Sequence, residues 1–313
     1  MELPFVISNE EAYASLRAMA TCARADGELS AIEEDTLRVA AKVLGVSCDP
    51  DHLADIPVDE LARVFPEPAR RERVVQAMIL MALMDGDVTQ AEVALARTYA
   101  AELGVDEPRV ANLGHVAEGR LRTLWLDLAR RSFARPIFER TLREKGPMGV
   151  WKIVGPMVGL AQDPTLARKY IALGELPEGT FGRAYFRFIV ENELGFPGEG
   201  IVAEEGVWHD LAHVLAGYDT TPHGEVSVVS FIAGTAREDP FFWLFSIALQ
   251  FHLAIRVSPY SEGATGHFLP EVVAPALLRG LRVTKDLSRA WDPFPHFERP
   301  LRDVRAELGV PPP

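Results

Sequence analysis

The sequence predicts an all-α protein, and two observations carry that prediction. No stretch combines apolar/polar alternation with the Val, Ile and Thr enrichment of a β-strand. Apolar residues recur instead at helical spacing between helix start and stop residues, first in a repeated pair of hairpins, then in longer segments broken by Pro and Gly. The expected organisation is a small N-terminal bundle of two repeated helical hairpins over 1–116 and a larger C-terminal α-helical domain over 117–313. A chain of 313 residues is long enough for two cores.

The hairpin repeat comes first. Ala25-Asp26-Gly27-Glu28-Leu29-Ser30 recurs as Met84-Asp85-Gly86-Asp87-Val88-Thr89, and the flanks stay in step: Ala18-Met19 with Ala77-Met78, Glu33 with Glu92, Arg38 with Arg97, Leu44-Gly45-Val46 with Leu103-Gly104-Val105. Each copy reads as helix, acidic turn, helix. Ser30 with Glu33 and Thr89 with Glu92 are capping boxes, in which a hydroxyl and a carboxylate each satisfy one free N–H of a new helix. Gly45 and Gly104 are the stops. Two readings of the acidic turns stand side by side. The glycines supply turn conformations while Asp26, Glu28, Asp85 and Asp87 favour the following helix N-termini, or the same acids form a divalent-ion or partner site. An EF-hand is excluded, since the turns lack its length and alternating oxygen ligands.

Beyond residue 120 the helices lengthen. Residues 121–133 have helical apolar spacing. Residues 146–161 are apolar but interrupted by Pro147, Gly149, Gly155, Pro156 and Gly159, which reads as a buried irregular helical segment. Pro177-Glu178-Gly179-Thr180 turns into a helix through Phe181-Gly182-Arg183-Ala184-Tyr185. Gly217 is a helix stop, Thr221-Pro222 an N-cap with Pro at the first position, and Asp239-Pro240 a second such start whose helix must end before Ser258-Pro259.

Composition narrows the function. A net charge of −13 argues against a nucleic-acid binder, because phosphate contacts need clustered Lys and Arg. Cys22 and Cys48 have no metal or redox spacing, and the start Met1-Glu2-Leu3-Pro4 has no signal-peptide character. The longest apolar run, 241–255, is too short to span a bilayer. A cytoplasmic protein is expected, with peripheral membrane contact left open.

The chemistry concentrates in His209-Asp210-Leu211-Ala212-His213, followed twelve residues later by Glu225. Residues four apart share one helix face, so His209 and His213 can aim at a single cation. Asp210 borders that face, and Glu225 falls in the first turn of the returning helix. The plainer alternative is a pair of hydrogen-bonded helix histidines with Glu225 favouring a helix N-terminus. Glu205, one turn before His209, is a candidate to orient that imidazole or a solvated acid. Arg183 is a candidate partner for a substrate carboxylate or half of a structural ion pair. His223, His252 and His267 have no partner spacing and read as exposed or structural. Phe241, Phe242, Trp243, Phe245 and Phe251 would serve equally as an apolar slot or as ordinary core.

Two resemblances follow from these motifs. The paired hairpins with Asp-Gly-Glu/Asp turns resemble the tellurite-resistance TerB-like domain over about a hundred residues. That likeness implies an all-α module of stress-response and signalling proteins, with metal binding at acidic positions, here Asp26, Glu28, Asp85 and Asp87. The C-terminal region, roughly 120–310, resembles the coenzyme Q (ubiquinone) biosynthesis protein 4 family. The match runs through Pro177-x-Gly179-Thr180-x-Gly182-Arg183-Ala184-Tyr185, His209-Asp210-x-x-His213-Val214-Leu215, Gly224-Glu225-Val226, Trp291-Asp292 and Arg305-Ala306-Glu307-Leu308-Gly309. This second resemblance implies an all-α fold and a divalent metal, usually taken as zinc, on His209, Asp210, His213 and Glu225. It also implies a slot for a polyprenyl tail, other biosynthetic proteins as partners, and a role in exchanging the ring carboxyl of a prenylated aromatic precursor for hydroxyl.

A metal-dependent enzyme of prenylquinone biosynthesis is therefore expected. The alternative is a non-catalytic lipid-binding or assembly scaffold with a structural metal. Oxygen-containing ligation leaves iron or manganese open beside zinc. Four protein ligands on a tetrahedral zinc would close the site, so catalysis would need a fifth position or Asp210 acting from outside the coordination sphere. A zinc peptidase of the gluzincin type fits poorly, since Asp210 stands where the general-base Glu belongs.

Overall fold

The structure is a computed structural model that describes residues 8–131, 143, 146, 163–199, 204–258, 261–289 and 291–312. The described residues form fourteen α-helices and no strand, with two isolated bridge pairs, Thr180 with Pro300 and Leu253 with Thr265. The all-α expectation holds. No helix among them is long and apolar enough to cross a membrane. By Cα packing the chain divides into two compact units, 1–128 with 241–275, and 129–240 with 276–313.

In the first unit the repeat forms as its capping residues dictate. Helices α1 (Asn9–Ala23) and α2 (Ala31–Leu44) make one hairpin, α4 (Pro68–Met81) and α5 (Gln90–Leu103) the other, with the short α3 (Val58–Val64) between them. Ser30/Glu33 and Thr89/Glu92 both form reciprocal capping boxes, and Gly45 and Gly104 end their helices in the left-handed conformation. A third box, Ser8 with Glu11, opens α1. Leu16, Leu37, Met78, Ile79 and Leu83 are fully buried between the hairpins, and α6 (Arg109–Ala117) and α7 (Leu121–Arg131) follow.

A late segment, 241–275, groups with the first unit. Helix α12 (Pro240–Phe251) is apolar on nearly every side, and such a helix must be buried all round. The Arg109 guanidinium lies 5.5 Å over the Phe241 ring, and His252 Nε2–H donates to the Met84 carbonyl at 2.8 Å. Phe241, Phe245 and Phe251 are therefore core of this unit, and Phe242 and Trp243 are half-buried in it. Asp239, expected as an N-cap, sits at φ 46°, outside the extended conformation such a cap adopts. The irregular stretch 147–161 and Phe133 lie outside the described residues.

The second unit is built from α8 (Pro164–Ile171), α9 (Phe181–Glu191), α10 (Val207–Ala216), α11 (Pro222–Thr235), the end of α13 (Pro270–Gly280) and α14 (Leu301–Leu308). Its core gathers Tyr170, Phe181, Tyr185, Leu211, Phe231, Phe297 and Val304. The tail grips α10 directly. Trp208 Nε1–H donates to the Trp291 carbonyl at 2.9 Å, and Arg305 donates to the Val214 and Leu215 carbonyls at 2.9 Å each. Those carbonyls belong to the last turn of α10, which has no intrahelical donors of its own.

Candidate metal centre

Helix α10 begins at Val207 and carries His209 and His213 one turn apart on one face. Gly217 ends it at φ 76°, a left-handed conformation that costs a residue with a Cβ far more than glycine. That turn brings the Tyr218 carbonyl back under the helix, where it accepts from His213 Nδ1 at 3.1 Å. A carbonyl only accepts, so Nδ1 carries the proton, and neutral His213 presents the Nε2 lone pair to the site. Phe188 of α9 stacks on the same imidazole, with centroids 5.2 Å apart and planes at 24°. His213 is held in place and 1 % exposed.

Helix α11 delivers the third group. Thr221 caps it by accepting from the Gly224 N–H at 3.2 Å, and Pro222 occupies the first position. A Cβ at position 224 would collide with the Asp219 carbonyl oxygen, so the turn needs glycine there. Glu225 follows in the first turn, where the helix dipole favours a carboxylate.

Three ligand side chains then meet. His209 Nε2 lies 3.1 Å from His213 Nε2 and 3.2 Å from Glu225 Oε2, and His213 Nε2 lies 3.3 Å from Glu225 Oε1. Among the described residues this is the one group of three or more such side chains with ligand atoms this close. For metal–ligand distances of about 2.1 Å, donor atoms sit about 3.4 Å apart in a tetrahedron and about 3.0 Å apart on an octahedral face. The observed distances fall between those values, the two to Glu225 reaching one carboxylate oxygen each. The donor chemistry fits as well. With its proton on Nδ1, His213 meets the Glu225 carboxylate lone pair to lone pair, a contact that favours a cation between them.

The electrostatics bind the trio together. In the metal-free site burial would raise the Glu225 pKa, but contact with the His209 and His213 imidazoles outweighs it and holds the carboxyl at about 2. Burial likewise opposes a charged His209, yet its bond to Glu225 and the neighbouring Asp210 charge raise its pKa on balance. The His209 side chain is 36 % exposed and Glu225 16 %, so the cluster opens on the His209 side.

Asp210, expected as a fourth ligand, falls outside the trio. One residue on from His209 it is turned by about 100° around the helix axis. It is half-buried, and burial pushes its carboxyl up to about 6 against the nearby imidazoles. The Glu205 side chain lies outside the described residues. Arg183 is engaged structurally: it donates to Glu178 at 2.9 Å and to the Gly174 carbonyl, and its guanidinium lies 5.6 Å over Phe186. The Phe241–Phe251 aromatics belong to the first unit and the trio to the second.

On the acidic turns, Asp26, Glu28, Asp85 and Asp87 are all exposed, and Asp85 Oδ1 accepts from the Asp87 N–H at 3.0 Å. The Asp85 and Asp26 charges reach the two capping-box acids, Glu33 and Glu92, which are 3 % and 1 % exposed. No group of three close ligand atoms forms there among the described residues. Sequence reading missed Tyr218 and Phe188, and it named Tyr185 as a motif residue without giving it a role. Tyr218 left a signal as the residue directly after a helix-ending glycine.

No family model matches this chain, and no curated protein matches it.

Proposed function

We propose that this protein holds a divalent cation on His209, His213 and Glu225. In this reading the cation's remaining coordination positions take the carboxylate or phenolate of an aromatic, lipid-like compound. The observation that carries the reading is the convergence of two imidazole nitrogens and one carboxylate at mutual distances of 3.1–3.3 Å. Three protein ligands leave a position for an outside molecule, as metal sites that act on substrates do, whereas structural zinc sites are closed by four. Zinc fits these donors, and two histidines with one carboxylate equally suit iron or manganese.

The cation would supply Lewis acidity, stabilising charge that develops on a bound oxygen or on the ring attached to it. The chain's own residues do the rest. Tyr218 fixes the His213 tautomer, Glu225 offsets half of the cation's charge, and the exposed side of His209 is the entrance. The substrate class comes from the resemblance to the coenzyme Q biosynthesis protein 4 family, whose motif residues include all three ligands. It makes a prenylated aromatic acid the compound of choice and its oxidative decarboxylation the reaction, in which the ring–carboxyl bond breaks, CO2 leaves and an external two-electron oxidant such as dioxygen supplies the hydroxyl oxygen. The scaffold alternative would need Asp210 to complete a closed site.

The test pairs metal analysis with extraction. Purified protein should carry about one divalent ion per chain, lost in Glu225→Gln, and mass spectrometry of its solvent extract should find a prenylated aromatic. Folded protein that neither carries nor takes up a divalent ion removes the reading.

A further inference from the structure

Helix α9 presents two rings to α10 at matched spacing. Phe188 stacks on His213, and Tyr185, three residues earlier, lies within the electrostatic reach of Asp210, three residues before His213. Tyr185 is 0 % exposed, its ring is packed against Tyr170 and Phe297, and its hydroxyl has no hydrogen-bond partner among the described residues. A buried hydroxyl without a partner is costly and uncommon, so it marks a place where a bond forms in another state of the site. Asp210, at the matching position of α10, is a half-buried carboxylate outside the trio.

We propose that Tyr185 is a positioning residue, whose hydroxyl donates to Asp210 in the cation-loaded protein and holds that carboxylate beside the cation rather than on it. This deepens the metal reading above and rests on it. The physical reason is competition. A divalent ion on His209, His213 and Glu225 attracts every nearby anion, and Asp210 sits on the adjoining strip of α10 with a side chain short enough to swing inward. Held by Tyr185, it leaves a coordination position to an outside oxygen ligand and remains charged next to it. Released, it becomes the fourth protein ligand, and the site closes into the structural type.

Cobalt-loaded protein with benzoate as probe tests this, because the visible spectrum of Co(II) reports the ligand set without reference to activity. Wild-type protein should bind one Co(II) and change spectrum as benzoate enters. Tyr185→Phe should bind Co(II), show a different spectrum in the absence of benzoate, and bind benzoate at least about tenfold more weakly, a difference of about 1.4 kcal/mol. The double variant Tyr185→Phe/Asp210→Asn should restore both wild-type properties, which a merely structural loss at Tyr185 would not do.

Failure of wild-type protein to bind Co(II) sinks the metal reading and this inference together. Wild-type Co(II) binding with an unaltered spectrum and unaltered benzoate affinity in Tyr185→Phe sinks the inference alone. Should Tyr185→Phe fail to fold, Asp210→Asn decides: an unchanged Co(II) spectrum supports an outer carboxylate, and a changed one overturns it.

Discussion

Replacing Glu92 by Gln stabilises the first unit, and does so only towards alkaline pH. Glu92 closes the capping box of α5: its Oε2 accepts from the Thr89 N–H and hydroxyl at 2.9 Å each, and the residue is 1 % exposed. Burial, and then the charges of Asp85 and Asp26, push its carboxyl from 4.5 to about 7, against the Thr89 bonds. The folded state therefore holds this proton more tightly than the unfolded chain does, so stability falls as pH rises from about 4.5 to 7 and stays reduced above. A shift of about 2.5 units at 1.36 kcal/mol each sets a ceiling of about 3 kcal/mol. Gln keeps the capping geometry without ionising, so about 2–3 kcal/mol of that cost disappears at pH 8 and almost none at pH 4.5. For a unit of this size the gain at pH 8 corresponds to about 5–10 °C in Tm. Circular dichroism melts of wild-type and Glu92→Gln protein at both pH values measure it. Equal destabilisation at both would refute the reasoning, because it would mean that the buried charge is put to use.

Other perturbations act on the second unit. Gly224→Ala drives a methyl group into the Asp219 carbonyl, displaces Glu225, and should weaken cation binding at least about tenfold in titration calorimetry while the far-ultraviolet spectrum stays helical. Arg305→Met leaves the Val214 and Leu215 carbonyls without their donor and should cost about 1–3 kcal/mol in urea unfolding followed by Trp208 fluorescence. In metal-free protein His209, with its pKa raised, adds stability that is full below 6.5 and lost as pH climbs through its folded value. Glu225, held at about 2, adds stability that is full above 4.5 and lost as pH falls towards 2. Their pair thus supports the second unit most between about pH 4.5 and 6.5, and Asp210, pushed up to about 6, tilts that maximum to the acidic side. A urea midpoint that rose steadily from pH 5 to 8 would contradict this.

The helices were legible wherever local chemistry decides them. Capping boxes at Ser30 and Thr89, glycine stops at Gly45, Gly104 and Gly217, and the Thr221-Pro222 start all form as the residue types dictate, because each satisfies backbone groups within four residues. The meeting of His209, His213 and Glu225 was legible for the same reason: one helical turn sets the first distance, and a tight glycine-terminated turn limits the second. What the sequence hid was long-range. Nothing in the run Phe241–Phe251 says that its end meets the hairpins, as His252 meets Met84 168 residues earlier, since an apolar helix satisfies any core that admits it. The engagement of Arg183 by Glu178 and Gly174, and the placement of Asp210 off the ligand face, depend on rotation about a helix axis that four-residue spacing alone does not fix.

The most direct test is X-ray absorption at the metal edge of the loaded protein, which counts imidazole and oxygen ligands and their distances. Two imidazole nitrogens at about 2.0–2.1 Å, one carboxylate, and an oxygen that exchanges with added benzoate are expected. A single imidazole, or a spectrum unchanged in Glu225→Gln, would contradict the shared cation on which the whole reading rests.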